Sequence, residues 1–251
     1  MMHRNWRKEC LEHLELAAEA EQEAFNLVLP LSRCPHCNAA IRPHQNIPVI
    51  SYIFLKGRCA YCRNSISPRY PIIEIFTALA SAIVAWHFGY APQTVFALLL
   101  TWSLIALSFI DIDHHLLPDA ITLPMLWLGL LLSLSDVYAD AHASIIGAVA
   151  GYLVLWTVYQ LFKLATGKEG MGYGDFKLLA LLGAWLGWHY LPVIILLSSL
   201  VGSVIGITMM LVAKRDHTIP IPFGPYLAAA GWIALLWGND INQLYLRLAG
   251  F

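Results

Sequence analysis

Residues 93–113 read "QTVFALLLTWSLIALSFIDID". A helix of that length on the surface of a soluble protein needs a polar face recurring every 3.6 residues, and this run has almost none before Asp111. It reads as a membrane-spanning helix that ends on two acids. Similar apolar runs, separated by short polar or Gly/Pro-containing links, fill the chain on either side of it. They give seven spans, at approximately 72–88, 93–110, 120–135, 143–162, 176–190, 192–213 and 222–238. Several approach the roughly 20 residues that cross a bilayer core of about 30 Å. The two weakest, 120–135 and 176–190, are short enough to be re-entrant or tucked inside the bundle. The fold class expected is an all-α polytopic membrane protein of about seven helices.

Composition agrees. Of 251 residues, 59% are hydrophobic and 12% charged, and more than half of the charged residues precede residue 75. The mean hydropathy is +0.63, outside the range of an ordinary soluble domain. The beginning, "MMHRNWRKECLEHLELAAEAEQEAF", carries both signs and lacks the basic, apolar, small-residue order of a signal peptide. A net charge of −1 gives no global field for nucleic acid. With residues 1–70 in the cytoplasm, the links near 111–119, 163–175 and 214–221 fall on the same side. Every Lys and Arg of the 15 except Arg247 then lies at or near the cytoplasmic face, as the positive-inside rule requires. Asp111 and Asp175 come out together on that face.

Ahead of the spans stands "CPHCNAAIRPHQNIPVISYIFLKGRCAYC", with CxxC pairs at Cys34/Cys37 and Cys59/Cys62 separated by 21 residues. Two such knuckles can close a tetrahedral four-cysteine zinc site. Disulfides or a redox CxxC pair are the alternatives, disfavoured in a reducing cytoplasm. Cys10 stands alone, and His36 and His44 read as surface residues. The organisation expected is an N-terminal helical segment at 1–33, a zinc module at 34–70 and a transmembrane domain at 71–251.

Two acidic clusters remain. In "DIDHHLLPD", Asp111 and Asp113 would project about 200° apart on a helix, so only one can face the bundle. Asp111 abuts the apolar run and is the better candidate, with Asp113 leaning toward water or a supporting bond. In "GMGYGDFKLL", residues 170–179, glycines at 170, 172 and 174 leave room for a passing backbone, and Asp175 opens a helix beneath it. Two carboxylates in one partly desolvated pocket share a proton and can divide acid and base roles. Other readings stand beside this one. The glycines could serve helix packing, and Asp175 could be an N-cap. Asp113, His114 and His115 could ligate a metal, and GxGxG as a nucleotide loop is weak without a preceding strand. The role of Glu74 stays open.

Taken in order, "CPHC", "NIPVISY", "GRCAYC", "SPRYPIIE", "DIDHHLLPD" and "GMGYGDFKLL" closely resemble the bacterial type IV prepilin peptidases, GxGD-type intramembrane aspartic proteases. The resemblance implies that Asp111 and Asp175 form the catalytic pair, with Asp113, Gly172, Gly174 and Lys177 supporting it. It implies cleavage of the basic leader of prepilins or pseudopilins, the subunits of type IV pili and type II secretion, at the cytoplasmic face of the bacterial inner membrane. It also implies N-methylation of the new terminus with S-adenosylmethionine. The cysteines support that second activity indirectly, because peptidase-only relatives often lack them. Family members usually begin with a membrane helix ahead of the segment resembling "RNWRKEC". A proton-coupled transporter using the two aspartates and an inactive pilus or secretion assembly factor are the competing functions.

Overall fold

The computed structural model describes residues 33–42, 45, 47, 49–168, 170–213 and 222–248, with the backbone alone for 210–213 and 244–248. Cys10, His44 and almost all of the expected N-terminal helical segment lie outside the described residues. The chain divides into two compact units, Met1–Leu79 and Ala80–Phe251.

In the first unit, the described residues hold no β-strand, only the isolated bridges Arg33↔Ala40 and Arg58↔Ser65. A short helix α1 (Ile50–Phe54) precedes the long α2 (Arg69–Phe88), whose second half enters the other unit. Val49, just before α1, has a left-handed backbone (φ 57°), which is strained for a β-branched residue. Its N–H is held by the Glu74 carboxylate at 2.8 Å, so Glu74 fixes the segment leading into α1.

The second unit is a helical bundle. After the end of α2 come α3 (Pro92–His114), α4 (Asp119–Ser133), α5 (Ala141–Thr166), α6 (Tyr173–Leu186), α7 (Leu191–Ala213) and α8 (Gly224–Leu248). Each of the seven expected spans is a helix. Four helices, Arg69–Phe88, Pro92–His114, Ala141–Thr166 and the stretch Trp188–Met209, are long and apolar enough to cross a membrane. The fold is helical with four candidate spans. The remaining helices differ from the expected spans for local reasons. Gly187, with φ 84°, ends α6, and a 3-10 turn (Trp188–Tyr190) follows. Helix α8 runs ten residues past the expected end, across a non-helical Trp237.

Helix α6 is the centre. From Phe176 to Leu186 almost every side chain is buried, which is the pattern of a helix apolar on all sides and enclosed by others. Its 14 residues span about 21 Å, less than a bilayer core. Backbones meet where α5 crosses it: Gly147 of "GAVAG" lies against the carbonyl of Gly183, and Gly151 against that of Leu179. The Ser144 hydroxyl donates to the Ala184 carbonyl. On the α4 side, the Trp185 indole fills the space left by Gly129 and donates to the Met125 carbonyl at 2.7 Å. Trp232 of α8 donates to the Thr101 hydroxyl of α3 at 3.1 Å. Small residues that admit a neighbour's backbone, and polar bonds between helices, are how bundles hold without a hydrophobic drive between helices in lipid.

Candidate active site and metal centre

The C-terminal turn of α3 and the first turns of α4, α6 and α8 lie together at one end of the bundle. Asp111 sits in that last turn of α3, which closes when the left-handed His115 donates its N–H to the Asp111 carbonyl at 2.9 Å. Asp175 is the third residue of α6. Both carboxylates are buried, at 6% and 7% exposure, and they lie near enough for their charges to interact. Two acids far apart in sequence therefore share one pocket.

A third participant was not foreseen. The N–H of Gly224, the first residue of α8, donates to Asp111 Oδ2 at 3.0 Å. A Cβ at Gly224 would stand 2.6 Å from that oxygen and 3.3 Å from Leu117 Cδ1. A helix N-terminus presents unpaired amides and the positive end of its dipole, so α8 offers Asp111 an anion-binding end. The sequence signal was the Gly–Pro step in "PFGPY", which marks a helix start without naming the carboxylate it serves. Gly224→Ala should push the Asp111 carboxylate aside. A misplacement near 1 Å costs about 10²-fold in rate, so kcat should fall by about that factor with the fold intact. A variant with unchanged kcat would remove Gly224 from the site.

The supporting residues separate into different roles. Asp113 is exposed, on the side away from Asp111, as the helical geometry requires. Gly172 faces Asp175, whose Oδ2 would lie 3.9 Å from an added Cβ. Gly174 instead packs on Leu117, with 2.8 Å between its would-be Cβ and Leu117 Cβ, and Gly170 packs on the Phe162 ring. Of the three glycines, only Gly172 leaves open space beside the acid; the other two admit side chains of the bundle rather than a passing backbone. Lys177 extends to Asp119 at the start of α4, 2.7 Å from each carboxylate oxygen, and ties α4 to α6 beside the pair. Partly exposed ion pairs contribute about 0–1 kcal/mol, so its value is positional.

In the first unit, the two CxxC turns repeat one geometry. The N–H of Cys34 bonds the Ala39 carbonyl and that of Cys59 the Asn64 carbonyl. Asn38 and Arg63, each four residues after the first cysteine, are both left-handed. The four sulfurs lie within 4.8 Å of one another, with Cys34–Cys62 at 3.9 Å and Cys37–Cys59 at 4.0 Å. Zinc–sulfur bonds of about 2.3 Å in a tetrahedron place sulfurs about 3.8 Å apart, so the donor set fits that metal. Backbone N–H groups of Cys62 and Tyr61 pull the Cys59 thiol down to about 6. Those of Cys37 and His36 lower Cys34 as well. Thiolates are the form that binds metal. Among the described residues no other group of metal-ligating side chains assembles, and Asp113, His114 and His115 form none. Structural zinc contributes on the order of 10 kcal/mol in small domains. Chelation or Cys59→Ser should therefore loosen the module while the helical bundle keeps its melting transition. Protein loaded in metal-replete, reduced conditions should hold one zinc per chain, and elemental analysis finding none would remove the site.

These features define a class, a helical bundle of membrane type with two buried carboxylates at one end and a four-cysteine module ahead of it. Residues 98–207 match the type IV leader peptidase family, and residues 10–88 match the bacterial peptidase A24 N-terminal domain. A protein of Stutzerimonas stutzeri is 57% identical over 99% of this chain and 86% of its own length. One of Pseudomonas aeruginosa is 57% identical over 100% and 87%, and one of Legionella pneumophila 43% identical over 98% and 86%. All three are named prepilin leader peptidase/N-methyltransferase. The chain belongs to the type IV leader peptidase family. No solved structure matches it. The transporter and inactive assembly-factor alternatives find no support among these relatives.

Proposed function

We propose that this chain is a bifunctional prepilin processing enzyme of the bacterial inner membrane. It removes the leader of a prepilin or pseudopilin at the cytoplasmic face and methylates the amine so exposed. The observation that carries the peptidase half is the meeting of Asp111 and Asp175 in one buried pocket inside a family of leader peptidases. Asp111 accepts the Gly224 amide, the partner of a carboxylate oxygen, so it is the proton acceptor. It takes a proton from the attacking water while Asp175 gives one to the carbonyl oxygen of the scissile bond. In the collapse that follows, the proton on Asp111 passes to the leaving amine and Asp175 recovers its own. Lys177–Asp119 and Gly172 keep the mouth of this pocket in shape.

Methyl transfer rests on the relatives' name. S-adenosylmethionine, the donor that name implies, supplies a methyl group to the new N-terminal amine when bound. The described residues form no strand with a glycine-rich turn of the kind that cradles a nucleotide, so no residue is assigned to holding it.

All seven helices α2 to α8 would cross the bilayer, with α6 enclosed by its neighbours. The zinc module at 34–70 then lies in the cytoplasm, and residues 239–251 lie on the opposite side, consistent with the distribution of Lys and Arg. The test is incubation of the purified protein with a prepilin in detergent, with and without S-adenosylmethionine, followed by mass spectrometry. The leader should be lost, and one methyl group gained only with the donor. An intact prepilin would overturn the reading, and labelling of the module's cysteines from outside intact cells would invert the topology.

A further inference from the structure

A cleft of about 270 Å³ lies between α7 and the start of α8, lined by Ser199, Gly202 and Ser203 on one side and Pro222, Phe223 and Tyr226 on the other. The chain itself joins it to the acid pair. Phe223 forms its wall, and the next residue, Gly224, donates its N–H to Asp111. Whatever enters the cleft is therefore held beside the reacting carboxylates by consecutive residues of one rigid helix start.

Gly202 sets its depth. A Cβ there would lie 3.2 Å from Tyr226 Cδ2 and 3.8 Å from Phe223 Cδ2, so any larger side chain would occupy the cleft. None of the six lining residues is charged, and two present aromatic rings, so a charged guest would lose its hydration without gaining a partner. An apolar guest would gain contact with both rings. The way in is also apolar. Leu196, Leu200, Val204 and Ile207 stand 57%, 64%, 57% and 57% exposed along the same flank of α7, an exposure that suits lipid rather than water. The serines at 199 and 203 interrupt this flank at the level of the cleft.

We propose that this cleft receives a large apolar side chain next to the bond that is cleaved, entering from the membrane side, with Gly202 governing the size accepted. The inference rests on the peptidase reading and deepens it by naming the determinant of side-chain preference. Gly202→Leu fills the cleft from below, and Ser203→Phe fills it from its exposed rim, where the fold has no reason to fail.

The test varies the residues on each side of the cleaved bond of a prepilin through Ala, Leu and Phe. On one side of the bond, both variants should cleave the Phe and Leu substrates at least tenfold less efficiently than the parent protein. They should leave the Ala substrate within about twofold, and Ser203→Ala should change nothing. A loss that is the same for every side chain, or no loss, would overturn the proposal. A second measurement does not depend on cleavage. Prepilin peptides carrying p-benzoylphenylalanine at each of the two positions are photocrosslinked to Asp111→Asn protein in nanodiscs, and the adducts are mapped. Adducts at residues 196–207 or 222–226 support the cleft, and adducts only elsewhere, or none, overturn it. If the parent protein cleaves nothing while adducts map to the cleft, the peptidase reading fails and the cleft stands as a peptide site.

Discussion

Asp111→Asn and Asp175→Asn should each abolish leader cleavage, with kcat falling by about 10³-fold or more while the protein remains folded and metal-loaded. General acid–base groups contribute about 10²–10⁴-fold, and in a shared pocket each acid needs the other's protonation state to act. Asparagine keeps the size of the side chain and can neither take the water's proton nor supply one to the carbonyl. Both positions are buried among packed helices, so the pocket should survive. Asp113→Asn should cost little, because that side chain is exposed. Lys177→Met should have an intermediate effect, since it frees Asp119 without touching the reacting groups. An already trimmed pilin should still be methylated by both aspartate variants, because methyl transfer does not draw on the acid pair. The measurement is single-turnover cleavage by mass spectrometry together with melting temperature. Near-normal cleavage by either variant would end the dyad assignment, and a loss at Asp113 equal to that at Asp111 would move the first acid by two positions.

The acids could be chosen from sequence because their signal is local. Asp111 ends an apolar run and Asp175 begins one, and a costly charge at such a border points to use. The enclosure of α6 is also visible in "FKLLALLGAWL", which offers no polar face after Lys177. What could not be read depends on distant parts of the chain meeting. Gly224 gains its meaning only from Asp111, 113 residues away. Gly174 looked like room for a substrate because Leu117, which fills that room, follows a helix end whose direction no local pattern gives. Span lengths suffered in the same way. A left-handed Gly187 ends α6 early, and nothing in the composition of "GAWLGWHY" marks which of its two glycines stops the helix. The cysteine module was legible because its spacing implies its geometry: two CxxC turns need no knowledge of the rest of the fold to converge.

The largest effect on stability should come from the crossing of α5 and α6, where Gly183→Ala and Gly147→Ala should each lower the melting temperature sharply and Gly183→Val should prevent assembly. An added Cβ at either glycine collides with the other helix's backbone, the Gly183 carbonyl in one case and the Gly147 carbonyl in the other. Backbone cannot turn aside as a side chain can, so the helices must separate. Overpacking ordinarily costs about 1–3 kcal/mol, and here the upper end or more is expected. Separation would also loosen the contact of Gly151 with Leu179 and strain the Ser144–Ala184 hydrogen bond. Because α6 carries Asp175, cleavage should fall along with stability. The two glycines meet at one point, so once one substitution has opened the crossing the second should add little. The double variant should be destabilised by clearly less than the sum of the two, as for residues in direct contact. Gly172→Ala is the control: its Cβ would meet only an Asp175 oxygen, 3.9 Å away, so it should perturb cleavage while leaving the melting temperature unchanged. Full additivity of Gly147→Ala and Gly183→Ala, or a melting temperature that neither moves, would mean that the helices do not cross on these glycines.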